Sequence, residues 1–149
     1  MDRPHDSLIV QVVSRLLVPI LQLYAAYVLF HGQVSPGGGF VGGVAFGATL
    51  ILVLLVFGNG GGQLFIPRMA SYGEGLGLIL FAAVGGLCLI GVGEYLNYAT
   101  LPVWGLDAPW RRSLGILLTM VGVAVDVAVV GVSIFLSLSR PSQEDPSHD

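Results

Sequence analysis

The chain has 149 residues, of which 54% are hydrophobic and only 10% are charged, with a net charge of −3. Soluble domains carry about 25% charged residues, so this chain has too little charge to cover a water-facing surface. Its basic residues form no patch, which argues against nucleic acid as a partner. A single cysteine, Cys88, excludes a disulfide framework within the chain. No metal site and no cofactor site is predicted.

Four apolar segments approach the length of about 20 residues that a transmembrane helix needs. They cover residues 8–30, 40–57, 75–97 and 114–137. The segments are about twice as long as a barrel strand and do not alternate in polarity, so they are not strands of a barrel. The sequence predicts an all-α integral membrane protein with four transmembrane helices and short loops, formed by residues 1–139. Residues 140–149 are polar and proline-rich, and we expect a disordered tail there.

The ends of the segments predict how the chain sits in the membrane. The first segment contains Arg15 and precedes no clear cleavage site, so we expect it to remain as a membrane anchor. Four spans place both termini on one side, and the distribution of arginines predicts that this side is the cytoplasm. Tyr95 and Tyr98 close the third segment, where aromatic side chains are typical of the membrane interface.

The second segment begins with a glycine-rich block. We expect Pro36 in the first turn of the helix, where proline is tolerated, and Ser35 before it as the N-cap. Gly39, Gly43 and Gly47 recur every four residues and therefore share one face, which predicts close packing against a neighbouring helix. A phosphate-binding loop is set aside, because the block lacks the GK[ST] ending and a preceding strand.

Three ionisable residues are candidates for an ion route. His31 lies at a membrane edge, and histidine is a residue type that often relays protons, although a hydrogen-bonded surface group is the alternative. Glu94 lies near the end of the third segment, where a hydrated side chain that reaches the interface is the alternative. Asp126 lies near the middle of the fourth segment, on a stripe of small and polar residues. A charge there costs about 2.5–3.5 kcal/mol, so Asp126 either hydrogen-bonds neighbouring helices or lines a cation or proton route.

The block from His31 to Gly43, HGQVSPGGGFVGG, closely resembles the signature of the MnhB/MrpB family, whose pattern is roughly HG-x-x-[SA]-PGGGF-x-GG. This family comprises the B subunits of the multisubunit Na+/H+ antiporters of bacteria and archaea. The resemblance extends to Arg15 and Pro19 in the first segment and to Asp126 in the last. It implies partners, namely the other subunits of a hetero-oligomeric Mrp/Mnh-type antiporter, and a location in the cell's inner membrane.

The function that the resemblance implies is that of an accessory subunit. It would support the exchange of Na+ or K+ for protons, and thereby cation extrusion and pH homeostasis, without catalytic residues or a cofactor of its own. The alternative is a small membrane-arm subunit of a membrane-bound hydrogenase or a related redox-driven ion pump. A third interpretation is a homo-oligomeric channel. The single mid-membrane acid without a pairing base predicts that the chain does not transport ions alone.

Overall fold

A computed structural model describes residues 8–34, 36–57, 73, 75–92, 94–102, 105 and 107–139. Within them lie four α-helices and a short 3-10 turn: α1 (Leu8–His31), α2 (Gly39–Phe57), α3 (Leu76–Val92), the turn Tyr98–Thr100, and α4 (Ala108–Leu138). This described part contains no strand, and the prediction of an all-α fold is confirmed. Ser35 and the predicted tail of residues 140–149 lie outside the described residues.

Three of the helices are long and apolar enough to cross a membrane. They are α1, α2 and α4, with 24, 19 and 31 residues. At about 1.5 Å per residue, α2 spans about 28 Å, close to the roughly 30 Å of a hydrocarbon core. Helix α3 is apolar but has only 17 residues. The predicted four-helix membrane layout is therefore confirmed, with a third helix that is shorter than expected.

The helices form a single layer in the order α1, α2, α4, α3. Helix α2 packs between α1 and α4, and α3 packs on the other side of α4. Most of the core residues between the helices are small, among them Ala25, Cys88, Ala124 and Val132. Large apolar side chains such as Leu16 and Leu23 point outward and are exposed. Because small residues let helix backbones approach closely, the layer is held by close backbone contacts, while its outer surface suits lipid.

The expectation for Pro36 is wrong. Helix α2 begins at Gly39, so Pro36 lies in the loop before the helix and not in its first turn. The reason is the backbone at Gly38, whose φ of 84° is left-handed and cannot belong to a right-handed helix. The proline therefore stiffens the connection between α1 and α2 and takes no part in helix initiation.

The bounds of α3 and α4 also differ from the prediction. Helix α3 ends at Val92, so Glu94 follows the helix and does not lie within it. The chain turns there, since Leu96 has a left-handed φ of 64°. Helix α4 begins at Ala108, six residues earlier than predicted. Its start has the usual signals, with Asp107 at the N-cap position and a proline in the first turn.

Candidate functional site

The glycine face of α2 lies against α4 of the same chain. Gly39, Gly43 and Gly47 meet the backbone of Met120, Ala124 and Ala128 in the same order, so the two helices run parallel. A Cβ built on Gly43 would lie 2.6 Å from the Ala124 carbonyl oxygen, and one on Gly47 would lie 3.2 Å from the Ala128 Cα. The structure thus leaves no room for a side chain at Gly43. The effect of these glycines on assembly stays a prediction.

The other glycines of the HGQVSPGGGFVGG block also have packing reasons. A Cβ on Gly32 would collide with the backbone of Gly38, and Gly38 itself needs its left-handed φ. Gly42 faces the opposite way from Gly43, toward α1, where a Cβ would lie 3.2 Å from the Leu29 Cβ. The block therefore holds α1, α2 and α4 at short distances from one another, and most of its unusual composition follows from that packing.

A reciprocal hydrogen bond ties the loop of this block to α4. The Gln33 side-chain amide donates to the Ser113 carbonyl oxygen at 3.0 Å, and the Ser113 hydroxyl donates to the Gln33 Oε1 at 2.9 Å. Both groups lie near the start of α4, on the side of the layer where α1 ends. These two hydrogen bonds fix the position of the α1–α2 loop along the axis of α4.

His31 and Glu94 lie at helix ends, away from the middle of the membrane. His31 is the last residue of α1, is exposed, and stacks on Tyr27 with ring centroids 4.1 Å apart. Glu94 is exposed and accepts a hydrogen bond of 2.8 Å from the Asn97 side-chain amide. Neither residue is brought together with Asp126. In the described residues, no three His, Cys, Asp or Glu side chains form a group that could hold a metal ion.

Asp126 lies close to the middle of the membrane-spanning region. Arg112 precedes it by 14 residues, which is about 21 Å along a helix. Helix α4 ends 12 residues after it, at Leu138, about 18 Å away. At that second end the Arg15 guanidinium lies 5.6 Å from the ring centroid of Phe57, the last residue of α2, which is a cation–π contact. The predicted depth of Asp126 agrees with this geometry.

Asp126 borders two grooves that open on one face of the layer. The groove between α2 and α4 has a volume of about 420 Å³, and the groove between α3 and α4 has a volume of about 240 Å³. Apart from Asp126, their walls are apolar residues and glycines. The Asp126 side chain is half-buried and makes no hydrogen bond or ion pair with any described residue. Its carboxyl group therefore lies among apolar groups, and no described residue supplies it with a hydrogen bond or an ion pair.

Helix α3 begins beside Asp126. Gly75, just before the helix, has a left-handed φ of 95°. Gly77, in the first turn, packs so closely on α4 that a Cβ there would lie 2.7 Å from the Asp126 Cβ. The backbone is thus irregular at the depth of Asp126, as occurs in membranes where it is buried in protein or lines a hydrated cavity. The positive end of the α3 dipole favours an anion at this point.

A polar contact that the sequence did not reveal lies between the turn Tyr98–Thr100 and α4. The Tyr98 ring packs on Gly115, and its hydroxyl is hydrogen-bonded to Thr119 Oγ1 at 3.2 Å. Thr119 Oγ1 also donates to the Gly115 carbonyl oxygen at 2.7 Å. The signal was present in the small and polar stripe of α4, where Gly115 and Thr119 are four residues apart, but Tyr98 was expected only at the membrane interface.

Comparisons with known proteins agree with this architecture. The profile of a family described as "Domain related to MnhB subunit of Na+/H+ antiporter" matches residues 9–135. The chain is 29% identical to the B subunit of the Na(+)/H(+) antiporter of Bacillus subtilis, over 85% of this chain and 93% of that protein. It is also 29% identical to the protein of the same name from Alkalihalophilus pseudofirmus, over 82% and 90%. It is 30% identical to a putative antiporter subunit mnhB2 of Staphylococcus aureus, over 83% and 92%.

The fold and the position of Asp126 define a small multi-pass helical membrane protein that carries an ionisable side chain in mid-membrane. The profile match covers most of the chain, from residue 9 to residue 135. The chain belongs to the MnhB family.

Proposed function

We propose that this chain is an accessory membrane subunit of a multisubunit antiporter that exchanges Na+ or K+ for protons. The observation that carries the proposal is the family match over residues 9–135, which extends across all four helices. Relatives that align over nine-tenths or more of their length carry the name of the antiporter's B subunit. In this role the chain works with the other subunits of the complex in the cell membrane and supports cation extrusion and pH homeostasis.

Within that role, Asp126 is the residue of this chain that serves the ion route. Three observations support it: its mid-membrane depth, its lack of a polar partner among the described residues, and the irregular backbone at Gly75, two residues before the Gly77 that packs on Asp126. A carboxyl group in such a place can bind a proton or a partly hydrated cation. Ionisable residues within membrane spans commonly mark such routes. His31 and Glu94, at the helix ends, can act only where ions enter or leave.

The test is antiport by the complete complex in everted membrane vesicles that contain Asp126→Asn. Asparagine keeps the shape and the hydrogen-bonding capacity of the side chain but removes the titratable proton. We expect a complex of normal size on a native gel, together with reduced antiport or a shifted pH profile when Na+ or K+ is added. The matched control is Asp107→Asn, which makes the same change at an exposed position at the start of α4.

Three results would contradict parts of this proposal. Unchanged antiport and an unchanged pH profile with Asp126→Asn would remove Asp126 from the ion route. Deletion of the whole chain without any effect on antiport would remove the accessory function itself. Co-purification with iron–sulfur and nickel–iron proteins would favour the redox-driven pump instead.

A further inference from the structure

One face of the helix layer is suited to a helix of another protein. We define the Asp126 face as Asp126 together with the walls of the α2–α4 groove, which include Val44, Gly47, Ala48, Val127, Val130 and Gly131. We propose that this face binds a transmembrane helix of another antiporter subunit, and that the helix presents a hydrogen-bond donor to the Asp126 carboxyl group. The inference rests on the proposed function, because it takes its partner from the same complex.

The shape of the groove fits a helix. Its volume is about 420 Å³, and its walls include three small residues, Gly47, Ala48 and Gly131. A Cβ built on Gly131 would meet no atom within 4 Å, so this glycine faces open space while Gly47 is used in the contact with Ala128. Small residues at such a surface let a second backbone approach closely, which is the usual way in which membrane helices associate.

The chemistry of the face decides what kind of partner it needs. The Asp126 carboxyl group accepts no hydrogen bond from any described residue, and the remaining walls of both grooves offer it no side-chain donor. Lipid tails cannot supply a donor at mid-membrane depth, where an unmet polar group is costly. A partner helix with a lysine, arginine, histidine, hydroxyl or amide side chain at this depth meets that need.

A second copy of this chain does not fit the same requirement. A two-fold symmetric contact pairs a surface with itself, so a second copy would bring a second Asp126 carboxyl group to this interface and, from the described walls of the groove, no side-chain donor. Two adjacent carboxylates disfavour ionisation and, if both are charged, repel each other. The occupant is therefore a different subunit.

The outer face of α1 shows what a lipid-facing surface of this protein looks like. Leu16 and Leu23 are 68% and 74% exposed there. Gly42 of α2 contacts Ala25 of α1, and the neighbouring Gly43 contacts Ala124 of α4. Leu23 and Asp126 each lie two residues beyond these contacts, toward the other end of the layer, so their depths are comparable. Position 23 is thus a control of similar depth for the Asp126 face.

The first experiment is photo-crosslinking in the assembled complex. A small diazirine amino acid replaces Val130, which lines the groove and is 41% exposed, or Leu23 as the control. We expect ultraviolet light to join position 130 to another antiporter subunit, and to give lipid adducts without a protein adduct at position 23. Adducts of position 130 with lipid alone, or with a second copy of this chain, would overturn the proposal.

The second experiment compares two open glycines. Gly131 lies in the groove and Gly86 lies on α3, and a Cβ on either would meet no atom within 4 Å. We expect Gly131→Leu to remove this subunit from the complex on a native gel, while Gly86→Leu leaves it in place. Equal behaviour of the two variants would overturn the proposal. The crosslink at position 130 keeps both glycines native, so it decides the question if Gly131→Leu fails to accumulate.

The hydrogen bond is tested by two changes at one position. Asp126→Leu removes the acceptor and should release the subunit, whereas Asp126→Asn keeps an acceptor and should retain it. Retention of the subunit with Asp126→Leu would show that the partner makes no hydrogen bond there. These assembly results do not depend on antiport activity, so the role of Asp126 in the ion route can fail while the interface stands, and the reverse also holds.

Discussion

The contact between Gly43 and Ala124 allows a quantitative test of how the layer is held together. The change is Gly43→Ala, which adds one methyl group to α2 at its contact with α4. That carbon would lie 2.6 Å from the Ala124 carbonyl oxygen and 2.9 Å from the Ala124 Cα. Both atoms belong to backbone, so neither can rotate away, and the helices have to separate.

The size of the effect follows from the overlap. Contacts between carbon atoms are comfortable at about 3.5 Å or more, so the overlap with the Ala124 Cα, at 2.9 Å, is about 0.6 Å. Overpacking of this kind lowers the free energy of unfolding by about 1–3 kcal/mol. The better helix propensity of alanine offsets up to about 1 kcal/mol of this loss. We therefore expect a loss of about 1–2 kcal/mol in the free energy of unfolding. For a chain of this size that corresponds to a fall in the melting temperature of about 2–8 °C.

Gly42→Ala is the matched control, since it makes the same change one residue earlier on the opposite face of α2. Its Cβ would lie 3.2 Å from the Leu29 Cβ, an overlap of only about 0.3 Å. The assay is thermal stability of the detergent-purified chain, followed by the loss of its monodisperse peak in size-exclusion chromatography. If Gly43→Ala melts at or above the temperature of Gly42→Ala, the close α2–α4 contact does not hold the layer together.

Three further expectations concern transport, assembly and the Tyr98 contact. The purified chain alone, reconstituted in liposomes, should show no cation-driven pH change, and clear antiport by this chain alone would contradict an accessory role. Gly43→Leu should abolish assembly of the complex on a native gel, whereas normal assembly would show that the glycine face tolerates a large side chain. Tyr98→Phe and Thr119→Val should each lower stability by about 0.5–1.5 kcal/mol; a double-mutant cycle in which the losses simply add would refute the hydrogen bond between them.

The HGQVSPGGGFVGG block shows that a family signature can be explained by helix packing and backbone conformation. Gly32, Gly38 and Gly43 are each required by a close approach or a left-handed backbone. Gly42 makes a milder contact with α1, and Gln33 is bonded to the start of α4. None of these residues lies beside Asp126. The most recognisable part of the sequence therefore builds the scaffold, and the residue proposed for the ion route comes from α4, where the sequence is less distinctive.

Much of the helical layout could be predicted because a bilayer leaves few choices. A segment such as Gly39–Phe57 has no water to satisfy its backbone, so it must form a helix over its whole apolar length. The predicted bounds of α1 and α2 differ from the structure by one residue at most. The errors lie at segment ends, at Pro36 and at Glu94, where left-handed residues at Gly38 and Leu96 end the regular backbone and hydropathy carries no signal.

The chain's own sequence is sufficient to establish a membrane protein, its four apolar segments, its family and the mid-membrane depth of Asp126, since each depends on composition or local spacing. The order of the helices in the layer is different, because it depends on residues far apart in the chain, such as Gly43 and Ala124. A stripe of small residues fits many neighbours equally well, so spacing predicts a close contact without naming the partner helix. For the same reason, only the packed arrangement places the start of α3 beside Asp126 and opens that carboxyl group toward a face where another protein of the complex can bind.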